Sequence, residues 1–293
     1  MSTRAEAILE CKATLGEGAL WDGRSGHFYW VDILERKVHV FDPRSGENRT
    51  HEVGEMVGTV VVRASGGLLL ALVSGLATLD LESGSVEYVL KVEHEREDLR
   101  FNDGKCDPAG RLWVGTMALD PADGPEAGSL FVIEPNFEIR KVLGGVTVSN
   151  GIVWSSDRKT MYYIDTLLEE VTAFDYDLDS GTIDNRRTAV KIDPEYGLPD
   201  GMAIDSRDHL WVAMWGGGRI LHLDPEKGEI VDHLMVEGAK NTTACAFGGE
   251  NLDELYITTA ANGTDGDPDQ PLAGALFRAK MDTPGVPSFE FAG

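Results

Sequence analysis

Basic residues are scarce in this chain. Against 50 Asp and Glu stand 26 Lys and Arg, a formal charge of −24 over 293 residues. A surface of that sign repels nucleic acid and anionic membranes, so neither is expected as a partner. Cysteines are few and odd in number. Cys11, Cys106 and Cys245 lie far apart, which leaves no disulfide framework, and the latter two read as buried reduced thiols in strands. No apolar run reaches the length of a membrane span, and Met1-Ser2-Thr3-Arg4-Ala5-Glu6 lacks the apolar core of a signal peptide. The expectation is a soluble, cytoplasmic protein.

The marks of several enzyme classes are also missing. There is no Gly-x-Ser-x-Gly elbow, no phosphate loop and no dinucleotide fingerprint. The histidines (His27, His39, His51, His94, His209, His222 and His233) show no zinc-enzyme spacing and are expected to fill surface or core positions. Asp175 to Gly181 opens like a calcium-binding EF-hand loop, but Arg186 stands where the loop needs its twelfth-position glutamate. Trp215-Gly216-Gly217-Gly218-Arg219 is rich in glycine, yet it lies between strands and reads as a hairpin.

What the chain has is one phrase said six times. Short apolar runs alternate with Gly, Asp, Ser and Pro turns, and the units open at Gly18, Gly58, Gly104, Gly151, Gly201 and near Ala244. A period of roughly 40 to 50 residues with four strands per unit is that of propeller blades. No long helical period competes. The fold class predicted is all-β, a six-bladed β-propeller over residues 1–293 as a single domain, with a metal site in the central channel. Ala7 to Glu10 is expected to pair into the last blade and close the ring, leaving no open sheet edge.

Four units begin with an acid or amide directly before glycine: Glu17-Gly18, Asp103-Gly104, Asn150-Gly151 and Asp200-Gly201. Any one alone is an ordinary turn residue. In a closed ring, equivalent positions converge on the axis, and converging carboxylate and amide oxygens suit one hard or borderline divalent cation. Val57 and Thr243 are taken as the same phase in the other two units, so the polar set is asymmetric, as a site is. Arg100 and Asn102, beside the third pair, add a fixed cation and a donor–acceptor amide. The loops from Met117 to Ala127, with Asp120, and from Ala260 to Ala273 are expected to overhang the same mouth.

The phrases Leu15-Gly16-Glu17-Gly18, Arg100-Phe101-Asn102-Asp103-Gly104-Lys105, Gly115-Thr116-Met117, Ser149-Asn150-Gly151, Pro199-Asp200-Gly201-Met202 and Trp215 to Arg219 resemble the family of gluconolactonase, regucalcin (senescence marker protein 30) and luciferin-regenerating enzyme. The resemblance runs nearly end to end and keeps the motif order. It implies one divalent ion (Ca, Zn, Mn, Mg or Fe(II)) held by Glu17, Asn150 and Asp200. It implies substrate contacts from Arg100 and Asn102, with Asp103 behind the ligands. Where several members carry glutamate after the Gly-Thr-Met phrase, this chain offers Asp120 as the substrate contact, a sign of a different sugar.

The reading is a metal-dependent sugar lactonase, a carboxylic-ester hydrolase that opens an aldono-1,4- or 1,5-lactone to the aldonic acid in sugar catabolism. Asp200 would be both ligand and general base. The partner expected is the small-molecule lactone, and the chain a monomer or weak homo-oligomer. Two alternatives stay open: a non-catalytic calcium-binding, regucalcin-like propeller, and an organophosphate-ester hydrolase on the same site.

Overall fold

The computed structural model describes residues 4–264 and 266–293. Met1, Ser2 and Thr3, used in reading the N-terminus, and Asp265, in the loop expected over the mouth, lie outside the described residues. Strand β1 (Glu6–Leu9) comes first and is used last. Each repeat then becomes a four-stranded antiparallel sheet. The first is β2 (Gly16–Asp22), β3 (His27–Asp32), β4 (Lys37–Asp42) and β5 (Glu47–Glu52), and the second β6 (Val57–Val62), β7 (Leu68–Leu72), β8 (Gly75–Leu79) and β9 (Val86–Lys91). The third is β10 (Leu99–Cys106), β11 (Leu112–Ala118), β12 (Gly128–Ile133) and β13 (Ile139–Val146), and the fourth β14 (Ser149–Trp154), β15 (Thr160–Asp165), β16 (Glu170–Asp177) and β17 (Thr182–Lys191). The fifth is β18 (Leu198–Ile204), β19 (Leu210–Trp215), β20 (Arg219–Asp224) and β21 (Glu229–Met235). The sixth joins β22 (Thr242–Gly248), β23 (Glu254–Thr259) and β24 (Leu276–Lys280) to β1, which pairs antiparallel with β24 as the sequence led us to expect. Among the described residues there is no α-helix, only two single 3-10 turns, and no helix long and apolar enough to cross a membrane.

The strands sort by depth because the sequence does. The first strand of a blade is an apolar run buried along both faces, as β6 (Val57–Val62) shows, whereas the fourth, such as β5, is largely exposed and charged. Six apolar cores hold the ring, and each joins two neighbouring blades rather than filling one. Val31 and Val40 of the first blade pack with Val60 and Leu70 of the second, and Trp211 of the fifth packs with Phe247 and Phe277 of the sixth. The core between the sixth and first blades, with Tyr256 and Trp30, completes the circle.

Every innermost strand carries one bulge near the same end, where one extra residue interrupts the pairing. Bulges turn side chains away from the ladder. Counted four residues back from the last pair shared by all six blades, the residues in or beside the bulge are Glu17, Gly58, Asn102, Asn150, Asp200 and Thr243. Two sequence assignments are thereby corrected. Gly58, not Val57, holds the second blade's place, because it stands four residues before Val62, paired with Leu68, as Asp200 stands four before Ile204, paired with Leu210. Asn102, not Asp103, shares the phase of the other three, because it stands four residues before Cys106, paired with Leu112. Glycine follows where neighbouring strands crowd: a Cβ on Gly201 would stand 2.6 Å from Cβ of Ala244, and one on Gly151 2.7 Å from that of Met202.

The opposite end of the channel is closed by the C-terminal segment. Ser206 N–H donates to Pro284 O, Phe291 N–H to Val62 O and Ala292 N–H to Gly110 O, so the tail straps the fifth, second and third blades together. Val286, Pro287 and Phe289 help line a small apolar cavity of about 70 Å³ with Ala203, Val61 and Ile152 of the inner strands. Phe291, fully buried, plugs into the core between the second and third blades. Phe291→Ala should therefore lower unfolding free energy by about 3 kcal/mol. Urea denaturation that shows no loss would mean the tail only rests on the ring.

Candidate metal centre

The bulged ends of β2, β10, β14 and β18 gather Glu17, Arg100, Asn102, Asp103, Asn150 and Asp200, each buried. Two of the approaches to this mouth are pinned alike. Asp32, at the end of β3, accepts the N–H groups of Thr14 and Leu15 at 2.8 and 3.1 Å, and Asp165, at the end of β15, accepts those of Thr147 and Val148 at 3.0 Å each. Both carboxylates hold the backbone that leads into Glu17 and Asn150.

A hydrogen-bonded chain crosses the mouth. Arg100 Nη1 donates to Asn102 Oδ1 at 2.6 Å and to Phe101 O at 3.1 Å. Asn102 Nδ2 donates to Asn150 Oδ1 at 2.9 Å and to Ser149 O at 2.8 Å. Asn150 Nδ2 in turn donates to Thr166 Oγ1 at 2.8 Å. Asn150 is thus held by its nitrogen at the rim, with its oxygen turned toward the neighbouring blade. Thr166 lies just past β15, outside every repeated phrase, and sequence reading gave it no role. Lys105 is the other residue missed; its ammonium donates to Met202 O inside the channel. It follows Asp103-Gly104 in the motif, and its alternation in the strand was the signal available.

Three buried carboxylates face one another electrostatically. Burial pushes Glu17 up to about 8, Asp103 adds to the rise, and Arg100 opposes it. Asp200 is raised well above the carboxylate range, first by burial and then by Glu17 and Asp103. Burial also raises Asp103, against the pull of Lys105. Arg100 is lowered to about 10 by its own burial, although Glu17 and Asp200 favour its charged form. Three acids against two cations would, if all were ionised, leave an excess of negative charge in a buried mouth. Two oxygens there lack any hydrogen-bond partner: Asp200 Oδ1 and Asp103 Oδ2. Buried orphan acceptors are costly, and a divalent cation fits both them and the oxygen donor set of Glu17, Asn150 and Asp200.

Asp120 is not brought into this group. It stands exposed in the loop after β11, and its carboxylate accepts Ala122 N–H at 2.9 Å within that loop. Among the described residues, the acid and histidine donors drawn within 4.8 Å of one another are Asp205, His209 and His222, at the far end of the fifth blade. Spacing along the chain does not show this cluster. The hairpin of β19 and β20 instead places His209-Leu210-Trp211 across from His222-Leu223-Asp224.

A family profile described as "SMP-30/Gluconolactonase/LRE-like region" matches residues 15–261. YvrE of Bacillus subtilis (strain 168), named as a candidate sugar lactone lactonase, is 39% identical over 98% of this chain and 99% of its own. Regucalcin of Gallus gallus is 39% identical over 100% of this chain and 99% of its own. The structure of a calcium-binding protein, regucalcin from Agrobacterium tumefaciens str. C58, superposes with a TM-score of 0.93 at 26% identity, covering 99% of this chain and 98% of that one.

The electrostatics generate a test. In metal-free protein Glu17 holds its proton to about 8, whereas the unfolded side chain releases it near 4.5. The folded state therefore binds more protons between those values, so this group's stabilising contribution declines as pH rises through the window. With chelator present, Glu17→Gln and the parent should be closest in stability near pH 5 and diverge toward pH 8, the parent falling behind. Parallel melting curves across that range would remove Glu17 from the repelling set.

Proposed function

This chain belongs to the SMP-30/gluconolactonase/LRE-like family, and from that premise we propose that it is a divalent-metal-dependent hydrolase of sugar lactones. The observation that carries the reading is the buried mouth itself, where orphan carboxylate oxygens stand beside a buried arginine. Glu17, Asn150 and Asp200 would hold the cation. When bound, it supplies Lewis-acid polarisation of the lactone carbonyl and offsets the repulsion among the acids.

The chain's own groups do the rest. Asp200, its carboxylate brought to the ionised form beside a dication, accepts the proton of the attacking water and returns it to the departing ring oxygen. One proton enters and one leaves, so the aldonic acid forms with no redox partner. Arg100 uses only Nη1 in the described hydrogen bonds, which leaves guanidinium donors for sugar hydroxyls and for the oxyanion that develops on the carbonyl. Asn102 ties Arg100 to Asn150, so the substrate contact and the ion ligand keep a fixed separation, and its amide offers a further polar edge to the sugar. Asp120 would join only when the loop from Met117 to Ala127 folds over the mouth. The apolar cavity beneath and the C-terminal plug keep water to one side of the reaction. YvrE's name supports a lactone substrate, and regucalcin's supports calcium as one ion the site accepts.

Acid release from a panel of aldonolactones should stop with chelator and return with a divalent ion. Asp200→Asn, with bound metal verified, should lower turnover by about 100-fold or more. Arg100→Ala should keep metal content and impair use of the sugar. A metal-loaded Asp200→Asn that works near the parent rate would remove Asp200 as base; a chelated parent at full rate would remove the metal.

A further inference from the structure

At the foot of the fifth blade, Asp205 follows β18, His209 precedes β19 and His222 lies in β20. Five residues of strand separate Asp205 from Asp200, so this end is about 15 Å from the channel mouth. His209 Nδ1 and His222 Nε2 face each other at 2.8 Å, and Asp205 Oδ2 stands 3.9 Å from the same His222 nitrogen. The three donors are held in place by their neighbours. Asp205 Oδ1 accepts Arg207 and His209 N–H at 2.8 and 3.1 Å, Asp205 Oδ2 accepts Trp211 Nε1–H at 3.1 Å, and His222 stacks on Trp211 with ring centres 4.2 Å apart. Asp205 and His222 are buried, while His209 lines a polar surface groove with Asp224 and Lys227.

The third blade provides an internal control. Strand register makes Asp107, Arg111 and Trp113 the counterparts of Asp205, His209 and Trp211. Asp107 Oδ2 accepts Arg111 Nε–H at 2.7 Å, Trp113 Nε1–H at 2.9 Å and Tyr176 O–H at 2.7 Å. A fixed cation sits on that carboxylate. In the fifth blade the tryptophan bond remains, but the arginine is replaced by an imidazole, and a second imidazole arrives from β20. The arginine is gone and two imidazole nitrogens stand in its place.

We propose that Asp205, His209 and His222 form a second metal site, for a borderline transition ion such as Zn²⁺ rather than calcium, in which the ion takes the place that Arg111 fills in the third blade. Two imidazole nitrogens and one carboxylate oxygen are the donor set of four-coordinate zinc with one position left to solvent. At metal–nitrogen distances of about 2.0–2.1 Å the two nitrogens need to part by only about half an ångström. The other nitrogen of His209 lies 3.7 Å from Asp224 Oδ2, beyond hydrogen-bond distance, and that oxygen accepts Lys227 Nζ at 2.6 Å, so the ring lacks the carboxylate hydrogen bond that commonly orients a metal-binding imidazole. His222 Nδ1 is buried without a partner. The ion should therefore be held about 10–100-fold less tightly than by a set with full outer support. Without an ion the arrangement is an imidazole–imidazole hydrogen bond, and the two states differ in spectrum.

Titrating the intact chain with Co²⁺ separates them, because four-coordinate nitrogen-containing sites absorb visible light far more strongly than six-coordinate oxygen sites. The parent should develop an intense d–d band that saturates at one equivalent and is displaced by Zn²⁺. His209→Gln, at a partly exposed position, should keep its circular dichroism and lactone hydrolysis while losing the band; His222→Gln should lose it too. No intense band in the parent, or the same band in folded His209→Gln, overturns the proposal. Either result is independent of the channel, whose oxygen donors give no such band.

Discussion

Repulsion among Glu17, Asp103 and Asp200 is the constraint around which the mouth is built. Like charges about 5 Å apart at an effective dielectric near 20 cost about 3 kcal/mol per pair. A domain whose whole stability is about 5–15 kcal/mol cannot hold several such pairs uncompensated. Arg100, buried, and Lys105, half-buried, offset part of the charge, while Glu17 and Asp200 stay raised, first by burial and then by their acid neighbours. Either protons or a cation must supply the balance. The proposed chemistry uses this tension, since burial and the neighbouring acids raise the affinity of Asp200 for a proton, as a base requires.

The fold delivers those acids by means that have little to do with catalysis. A bulge in each inner strand re-aims one residue, glycine lets adjacent strands approach, and Asp32 and Asp165 pin the backbone before two of the proposed ligands. Six cores that each bridge two blades make the ring rigid, and the tail seals its far end. Rigid placement matters because oxygen donors around an ion, and a base beside it, lose effect with small displacements.

Much of this was legible in the sequence because a repeat repeats its physics. Apolar four-strand units with turn residues at fixed offsets led to six blades, and β1 pairing with β24 follows from the ring's need to close. Glu17, Asp103, Asn150 and Asp200 stand out as acids or amides before glycine, the family resemblance narrows the expected ligands to Glu17, Asn150 and Asp200, and the structure brings all four to one mouth with Arg100 and Asn102. What stayed hidden depends on register. Register moved the third blade's phase from Asp103 to Asn102 and the second's from Val57 to Gly58, since the pattern before glycine does not reveal how far a residue stands from the paired end of its hairpin. Asp205, His209 and His222 meet only through strand pairing. Asp120 illustrates a different limit: a loop's direction follows from its own hydrogen bonds, which composition does not specify.

The central claim, a cation held by Glu17, Asn150 and Asp200, is tested most directly by crystals soaked in Mn²⁺ near pH 8 and measured for anomalous scattering. The account predicts one strong peak in the channel, within direct bonding distance of all three side chains. Catalytically active crystals with no peak in the channel, or with a peak bonded to none of the three, would contradict it.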